Sequence, residues 1–507
     1  MWLCAACSDA TAIVGKFGAP NAGRGGRAGQ SEDAGTGTRP DAALAPGIGD
    51  ASTPPPGAAG GKADIAPGPQ TDVMSYRVSF ETGSRDDVCK GTGPILVGKR
   101  EGVAAPGCAW RPERRVFGYG LCACEELRFD ADSFVLDSFD STQAAYKSNQ
   151  TGGSIGVNGA ITRLAPDTRV LGSLLSAGPG ELALSGQNLL VTGDFKQHGA
   201  LRLNAGAVRV GRDLWLSADA FPGTGKLQVD RDAYQTYGRS GLGSNVAGHV
   251  FSGDVRVPVP CDCGDVPVID VPALVAQAKE DNDNAAAKLS PDALELQMYA
   301  TAWTTWPCGR LYLTRLTLPG LNTYDLTFTS RTAIFVEGDL NVGSLATLWI
   351  RPEAGTRGEV DLFVAGDVTV EAMSSLLLGD PVRPSATRVY VGGQIRITGS
   401  LGLAGHLYAP QATLELSALH SEVEMYGSIF ARRLRLPTQR MHYDRAIQHA
   451  TPSCAASAPR TCDGCNQCPD SLACVGGSCG ACTRDADCCE PTVCSNGKCQ
   501  ERVSSWP

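Results

Sequence analysis

Two motifs in this sequence contain the residue types that catalysis needs, and each also has a structural interpretation. The run Gly152–Gly156 (GGSIG) matches the G-x-S-x-G pattern of serine hydrolases. That chemistry requires a strand, a sharp turn and a helix around Ser154, and no helix signal follows here. His442 and Asp444 could form an acid–base pair, but residues two apart on a strand also share one face for structural reasons. We therefore predict no catalytic residue.

Aspartates that follow glycines form a second candidate. On successive coils they could make a row of carboxylates that binds calcium or cleaves polysaccharide, as acidic residues do on the β-helices of pectate lyases. Aspartate after glycine is also a common turn residue that bonds its own backbone. The aspartates concerned are Asp194, Asp254, Asp339 and Asp367. Trp303 and Trp306 could likewise stack on sugar rings or be buried beside Cys308.

Cysteines divide the chain more sharply than any other residue type. There are 20 of them, an unusual number for a cytosolic protein, and eighteen are predicted to form disulfides. These are Cys89, Cys108, Cys122, Cys124, Cys261, Cys263, Cys308, Cys454, Cys462, Cys465, Cys468, Cys474, Cys479, Cys482, Cys488, Cys489, Cys494 and Cys499.

Metal binding is the alternative for two of these cysteine groups. Cys261 and Cys263 with Cys308 have no histidine at ligand spacing, and C-x-C is poor zinc geometry. The C-x2-C-x2-C run from Cys462 resembles the start of an iron–sulfur motif, but Pro469 comes before a fourth cysteine. The sequence therefore predicts no metal and no cofactor.

The first residues, 1–7, resemble the end of a bacterial lipoprotein signal, in which small residues precede a cysteine that becomes diacylated. Cys7 is the predicted lipidation site, and a chance C-x-x-C is the alternative. Cys4 stands where the family prefers leucine, and six residues are too few for the basic and apolar regions of a signal. We hypothesise that the true precursor begins further upstream. If Cys7 carries lipid and Cys4 is removed, the other 18 of the 20 cysteines can pair completely.

Residues 8–75 are rich in Ala, Gly and Pro, and they offer too little apolar surface to offset chain entropy. We predict a disordered linker, of which about 65 residues would span on the order of 45 Å. The net charge of -9 argues against nucleic acid as a partner. No stretch of the chain is apolar enough to span a membrane, so membrane contact would require an anchor.

Residues 76–450 are predicted to form a mainly β domain, a parallel β-helix or solenoid. Apolar runs broken by Gly and a small polar residue recur in Ile334–Val342 (IFVEGDLNV), Leu362–Val370 (LFVAGDVTV) and Val389–Ile397 (VYVGGQIRI). The matched glycines Gly338, Gly366 and Gly393 are 28 and 27 residues apart, which suits one coil per repeat. We expect these glycines to permit a bend that would otherwise need a positive φ. A β-sandwich is the alternative, because its short strands have similar spacing.

A short helical insertion is predicted at about 265–302. Val271–Lys279 has apolar residues at helical spacing, and Ser290 followed by Pro291 is a helix-start signal. We expect the cysteines on either side, Cys261, Cys263 and Cys308, to staple the insertion to the solenoid.

Residues 454–499 contain eleven cysteines in 46 residues, too many for a domain held by an apolar core. Cys474–Cys479 and Cys494–Cys499 each enclose a two-residue hairpin signal, Gly-Gly or Asn-Gly. The spacing resembles small secreted cystine-rich modules of the knottin or Dickkopf type.

Motifs spread over about Cys89–Gln448 resemble a family of uncharacterised bacterial exported proteins. Its β-helical domain is similar to one found beside pilus-assembly and surface proteins. The motifs are Cys261–Cys263, Asp281–Ala285, Pro307–Tyr312, the IFVEGDL and LFVAGDV repeats, Leu407–Pro410 and His442–Ala446. The resemblance implies surface display and supplies no catalytic residue.

Together these features predict an exported, lipid-anchored cell-surface protein with a structural or binding role in adhesion or display. It would lie on the extracellular face of the outer membrane or be secreted. Its expected partners are the membrane, through the lipid, and a surface polysaccharide or another envelope protein. One alternative is a carbohydrate-active β-helix enzyme with exposed aspartates. Another is a pilus- or envelope-associated assembly scaffold, which an uncovered terminal coil edge would favour.

Overall fold

The computed structural model describes residues 76–501 apart from several internal segments. The omitted positions are 82, 101–111, 222, 237–244, 293–301, 417–423, 438, 451–472, 490–491 and 496–497. The predicted signal remnant with Cys7 and the linker therefore lie outside the described residues. The same holds for Cys108, Cys454, Cys462, Cys465 and Cys468.

Parallel strands are the main secondary structure of the described chain, which confirms the predicted mainly β fold of stacked strands. We call residues 76–120 the leading segment; it contains β1 (Tyr76–Phe80), α1 (Arg85–Lys90), β2 (Leu96–Arg100) and α2 (Pro112–Val116). The N-terminal coils comprise β3 (Leu121–Phe129), β4 (Ser133–Phe139), β5 (Ile155–Val157), β6 (Ala160–Arg163), β7 (Asp167–Val170), β8 (Leu174–Ser176), β9 (Leu182–Val191), β10 (Phe195–Gln197), β11 (Leu201–Val210), β12 (Leu214–Leu216), β13 (Ala220–Phe221), β14 (Lys226–Val229), β15 (Ala233–Thr236) and β16 (Val250–Gly253).

Residues 254–301, which we call the strap, connect these coils to a second set and contain α3 (Val271–Glu280) and α4 (Asn284–Ala287). The C-terminal coils comprise β17 (Ala302–Thr305), β18 (Gly309–Leu313), β19 (Leu316–Leu318), β20 (Thr323–Phe328), β21 (Arg331–Val336), β22 (Leu340–Val342), β23 (Thr347–Pro352), β24 (Glu359–Val364), β25 (Val368–Val370), β26 (Ser375–Gly379), β27 (Thr387–Val391), β28 (Ile395–Ile397), β29 (Ser400–Glu415), β30 (Met425–Leu436) and β31 (Arg440–Asp444), followed by α5 (Ala446–His449).

The two sets of coils do not stack in chain order. The last C-terminal strands pair in parallel with the first N-terminal ones, β30 with β3 and β31 with β4. The main ladder runs through β18, β21, β24, β27, β29, β30, β3, β5, β8, β10, β12, β15 and β16. Because β16 and β18 lie at opposite ends of this ladder, the strap must travel back along the stack.

One side of the main ladder forms the apolar core of the stack. The register aligns one buried aliphatic or aromatic residue per strand, since alternate residues of a strand point to the same face. From β18 to β15 this column consists of Leu311, Ile334, Leu362, Val389, Leu407, Ile429, Leu121, Ile155, Leu174, Phe195, Leu214 and Ala233.

The other side of the ladder is also buried along the C-terminal coils. Its column is mainly aromatic and consists of Tyr312, Phe335, Phe363, Tyr390, Tyr408 and Phe430. The leading segment covers it: the rings of Phe80 and Phe335 lie 5.0 Å apart, and those of Phe117 and Tyr390 6.0 Å apart. The strap covers it as well, through the buried face of α3.

Disulfides fix the strap near its start and the leading segment at the far end of the stack. Cys122 and Cys124 on β3 pair with Cys261 and Cys263. At the far end Cys308, just before β18, pairs with Cys89 of α1. Cys261 and Cys263 therefore staple the insertion to the coils, as expected, whereas Cys308 is bonded to the leading segment. The helix α3 forms where a helix was predicted. The second helix, expected after Ser290, falls on 293–301, outside the described residues.

The C-terminal module contains two antiparallel hairpins, as its spacing predicted. They comprise β32 (Ala473–Val475) with β33 (Ser478–Gly480), and β34 (Thr492–Ser495) with β35 (Lys498–Glu501). Disulfides join Cys482 to Cys494 and Cys488 to Cys499.

The repeat glycines are required for a different reason from the one expected. None of Gly338, Gly366 and Gly393 has a positive φ. A Cβ on Gly366 would instead lie 2.7 Å from the carbonyl oxygen of Gly338 in the preceding coil. Close stacking of coils, rather than a left-handed bend, excludes a side chain here.

Gly366→Ala should lower the free energy of unfolding by roughly 1–3 kcal/mol, because the methyl group must push two coils apart. Gly264→Ala is the matched control, since the nearest atom to its Cβ is 3.5 Å away. Denaturant unfolding of both oxidised variants measures the difference. Equal stability of the two variants would contradict the stacking explanation.

Candidate functional site

The aspartates at the coil corners of the N-terminal half accept hydrogen bonds from the next coil. Asp194 Oδ1 accepts from the backbone N–H of Asp213 at 3.4 Å, and Asp213 Oδ1 accepts from that of Asp232 at 3.3 Å. Asp232 Oδ1 continues the row by accepting from the N–H of His249 at 2.9 Å. Burial raises the pKa of Asp213, and the neighbouring Asp194 carboxylate adds to this effect.

The C-terminal coils repeat the arrangement. Asp339 Oδ1 accepts from the N–H of Asp367 at 2.8 Å, and Asp367 Oδ1 accepts from the N–H of Gln394 at 2.7 Å. The bond from Gln394 holds the pKa of Asp367 below its ordinary value. Asp254 does not belong to either row; it is exposed and pairs with Arg256.

These bonds correct the expectation that such aspartates bond their own backbone. Each carboxylate instead satisfies a corner N–H of the following coil, which would otherwise be unpaired. The carboxylates of Asp194, Asp213, Asp232, Asp339 and Asp367 therefore act as caps between coils.

Ser154 is part of the same corner row, and it lacks the setting of a nucleophile. It is buried, with 3% of its surface exposed, and its Oγ accepts from the N–H of Ser173 at 3.0 Å. Ser173 Oγ in turn accepts from the N–H of Asp194. The G-x-S-x-G match is followed by the strand β5, without the helix that a nucleophile turn requires.

His442 and Asp444 do not interact with each other. The Nδ1 atom of His442 lies 2.6 Å from Oδ1 of Asp137, and both side chains are buried where β31 pairs with β4. Asp444 accepts from Ser141, Ser385 and Ala446 instead, and burial raises its pKa.

The Asp137–His442 pair is surrounded by aromatic rings. Tyr146 donates to Asp137 Oδ2 at 2.8 Å, and its ring lies 4.1 Å from that of His442. Burial and then the bond to Asp137 raise the pKa of Tyr146. Glu424 is 3.9 Å from His442 Nε2 on the exposed side. The cluster joins strands about 300 residues apart, which no local sequence pattern could predict.

Buried arginines join the leading segment to the C-terminal coils. Arg388 pairs with Asp361 at 2.6 Å and with Glu359 at 2.9 Å. The same carboxylates accept backbone N–H groups of the leading segment, from Ile95 and Gly93. An unpaired buried charge is costly, so these contacts fix one position of the leading segment on the coils.

His406 lies beside this network, with Nδ1 2.7 Å from Ser428 Oγ. Burial, and then the Arg388 charge, lower the pKa of His406 to about 3. The imidazole is therefore neutral in the folded protein at physiological pH.

The cysteines considered as alternative metal ligands are each bonded to a cysteine outside their group. Cys261, Cys263 and Cys308 are in disulfides, so they have no thiolate to offer. Within the described residues the sulfur atoms of Cys482, Cys488 and Cys499 also lie close together, but these residues form two disulfides. Trp306 is buried, as expected; the side chain of Trp303 lies outside the described residues.

The outer column is the column of side chains on the side of the main ladder opposite the apolar core. At the far end of the N-terminal coils the leading segment and the strap no longer cover it. There it contains Lys196, Trp215, Tyr234 and Phe251, one residue from each of four successive strands. Lys196 Nζ lies 5.3 Å from the Trp215 ring, which stacks on Tyr234 at 4.1 Å. Tyr234 stacks on Phe251 at 5.1 Å. Lys196 is buried, Trp215 and Tyr234 are half-buried, and Phe251 is exposed. The exposed end of this column is the best candidate for a binding surface, and only the coil register reveals it.

Comparison with known proteins gives one match. Residues 265–450 match a domain of unknown function, DUF7305; this part of the chain contains α3 and the C-terminal coils. No curated protein and no solved structure matches the chain. Among the described residues, no helix has the length and apolar character needed to cross a membrane.

His406 should make stability depend on pH. Its folded pKa lies below that of an unfolded histidine, so only the unfolded state gains a proton as pH falls from about 6.5 towards 3. The free energy of unfolding should then fall by up to about 1.4 kcal/mol per pH unit from this group alone.

Denaturant unfolding between pH 7 and pH 4.5 tests this dependence. His406→Gln should weaken it, and His198→Gln is the control substitution at an exposed histidine away from β16. Identical pH profiles for wild type and His406→Gln would contradict the assignment of His406 as a buried neutral group.

Proposed function

We propose that this protein is exported and lipid-anchored at the bacterial cell surface, where it serves adhesion or display without catalysis. Its partners would be the membrane, through the lipid on Cys7, and a surface polysaccharide or another envelope protein. The protein would lie on the extracellular face of the outer membrane.

The observation that carries this proposal is the state of the cysteines. All thirteen cysteines that the structure describes are in disulfides. Disulfides persist in oxidising compartments and are rare in the cytosol. They join the strap and the leading segment to the coils and also hold the C-terminal module. Such a structure is suited to an extracytoplasmic location.

The use of the corner aspartates supports a role other than catalysis. A polysaccharide-cleaving site would need several carboxylates exposed together on successive coils. Here Asp194, Asp213, Asp339 and Asp367 accept backbone N–H groups of the next coil. These bonds give the carboxylates a structural role, which is an argument against the alternative enzyme.

Lipidation and surface exposure can be tested together in the native host. Variants Cys7→Ser and Cys4→Ser are introduced at the chromosomal gene, and cells are fed an alkyne-tagged palmitate. The wild type and Cys4→Ser should carry the label and be digested by protease added to intact cells. Cys7→Ser should lose the label and leave the membrane fraction, because no acyl chain remains to anchor it.

An unlabelled wild-type protein would contradict the lipid anchor. A wild-type protein in the cytosolic fraction with reduced cysteines would contradict export as a whole.

A further inference from the structure

The two ends of the main ladder differ in whether the backbone of the last strand is covered. At the β18 end the strap occupies the free strand edge. Asn284 donates from Nδ2 to the carbonyl oxygen of Tyr312 at 2.7 Å, and its Oδ1 accepts from the Tyr312 N–H at 2.9 Å. Asp283 donates from its backbone N–H to the carbonyl oxygen of Arg310 at 2.7 Å, and its Oδ2 accepts from the Arg310 N–H at 2.8 Å. A further strand has no place to pair at this end.

The β16 end carries no comparable cap in the described part of the chain. There β16 pairs with β15, and no described strand pairs with its other edge. Monomeric proteins usually protect such edges with charged residues or proline. Val250–Gly253 (VFSG) contains neither, and both Val250 and Phe251 are exposed.

The aromatic column ends at this same edge. Trp215 and Tyr234 stack at 4.1 Å, and Tyr234 and Phe251 at 5.1 Å, so neighbouring rings cover one another's faces. The outer face of Phe251 continues the column, and 46% of this residue is exposed. A polysaccharide would need a row of rings whose faces are open, but here the rings of Trp215 and Tyr234 cover each other's faces. Another strand that pairs with β16 and carries its own aromatic ring would instead extend the column.

We propose that two copies of this chain pair through the edge of β16 and form a closed dimer. A second copy offers the same unpaired backbone groups and the same aromatic ring. Within one chain, the parallel pair β29 and β30 shows that neighbouring strands can bring two such rings into contact, with those of Tyr408 and Phe430 5.0 Å apart. Because Asp283 and Asn284 cap the β18 end, copies cannot add head to tail, and only edge-to-edge pairing related by a two-fold axis remains.

Strand geometry fixes the register of this pairing. An axis along the outward normal of the sheet makes the two β16 strands antiparallel and keeps both cores on the same side. Residues opposite each other must then point to the same face, since side chains alternate along a strand. With Phe251 of one copy opposite Phe251 of the other, the two exposed rings meet on the outer face, and Val250 lies opposite Ser252.

Sedimentation velocity of the oxidised full chain at 1–50 μM tests the proposal. The wild type should sediment as a dimer. Phe251→Lys and Val250→Lys should each weaken the dimer by at least about tenfold, since a lysine on a pairing edge would have to be desolvated. Val382→Lys is the matched control and should remain dimeric, because Val382 is equally apolar and exposed but lies between β26 and β27.

Hydrogen exchange of the 250–253 amides provides a second readout on the same samples. They should be protected in the wild type and exchange freely in the two edge variants, while the β24 amides stay protected in all of them. A monomeric wild type, a dimer that survives both edge substitutions, or open-ended assemblies would each overturn the proposal. So would protection of these amides in a monomer, because another part of the chain would then cover the edge. None of these results depends on whether Cys7 carries lipid.

Discussion

The structure depends on covering both faces of the strands in the C-terminal coils. A parallel strand with apolar side chains on both sides must be covered on both sides. The inner column of these coils packs within the stack, but Phe335, Phe363 and Tyr390 point the other way. The leading segment and the strap bury these rings. Their covering role explains why both segments run along the outside of the coils.

Charge and covalent bonds determine where the covering segments lie. The apolar contacts themselves would tolerate a shift along the column, because one aromatic ring resembles the next. Arg388 is held by Asp361 and Glu359. Because these two carboxylates also accept backbone N–H groups of the leading segment, that segment can lie at only one position along the column. Arg310 does the same for the strap through Asp283. The disulfides then hold both segments where these polar contacts place them.

The mainly β fold of parallel strands could be predicted from sequence because each repeat is encoded locally. An apolar run, a glycine and a small polar residue recur within about 28 residues, as Leu362–Val370 illustrates. The order of the coils could not be predicted, because pairing of β30 with β3 depends on complementarity between residues about 300 positions apart. The caps were missed for a related reason. Asp367 was expected to bond its own turn, but its partner Gln394 belongs to the next coil.

Disulfide mapping of the native oxidised protein tests the path of the strap most directly. Our account predicts that the tryptic peptide with Cys122 and Cys124 (Val116–Arg128) is linked to the one with Cys261 and Cys263 (Val257–Lys279). It also predicts a link between Cys89 and Cys308. A bond from Cys261 or Cys263 to Cys308 would contradict it, because the strap would then close on itself instead of crossing β3.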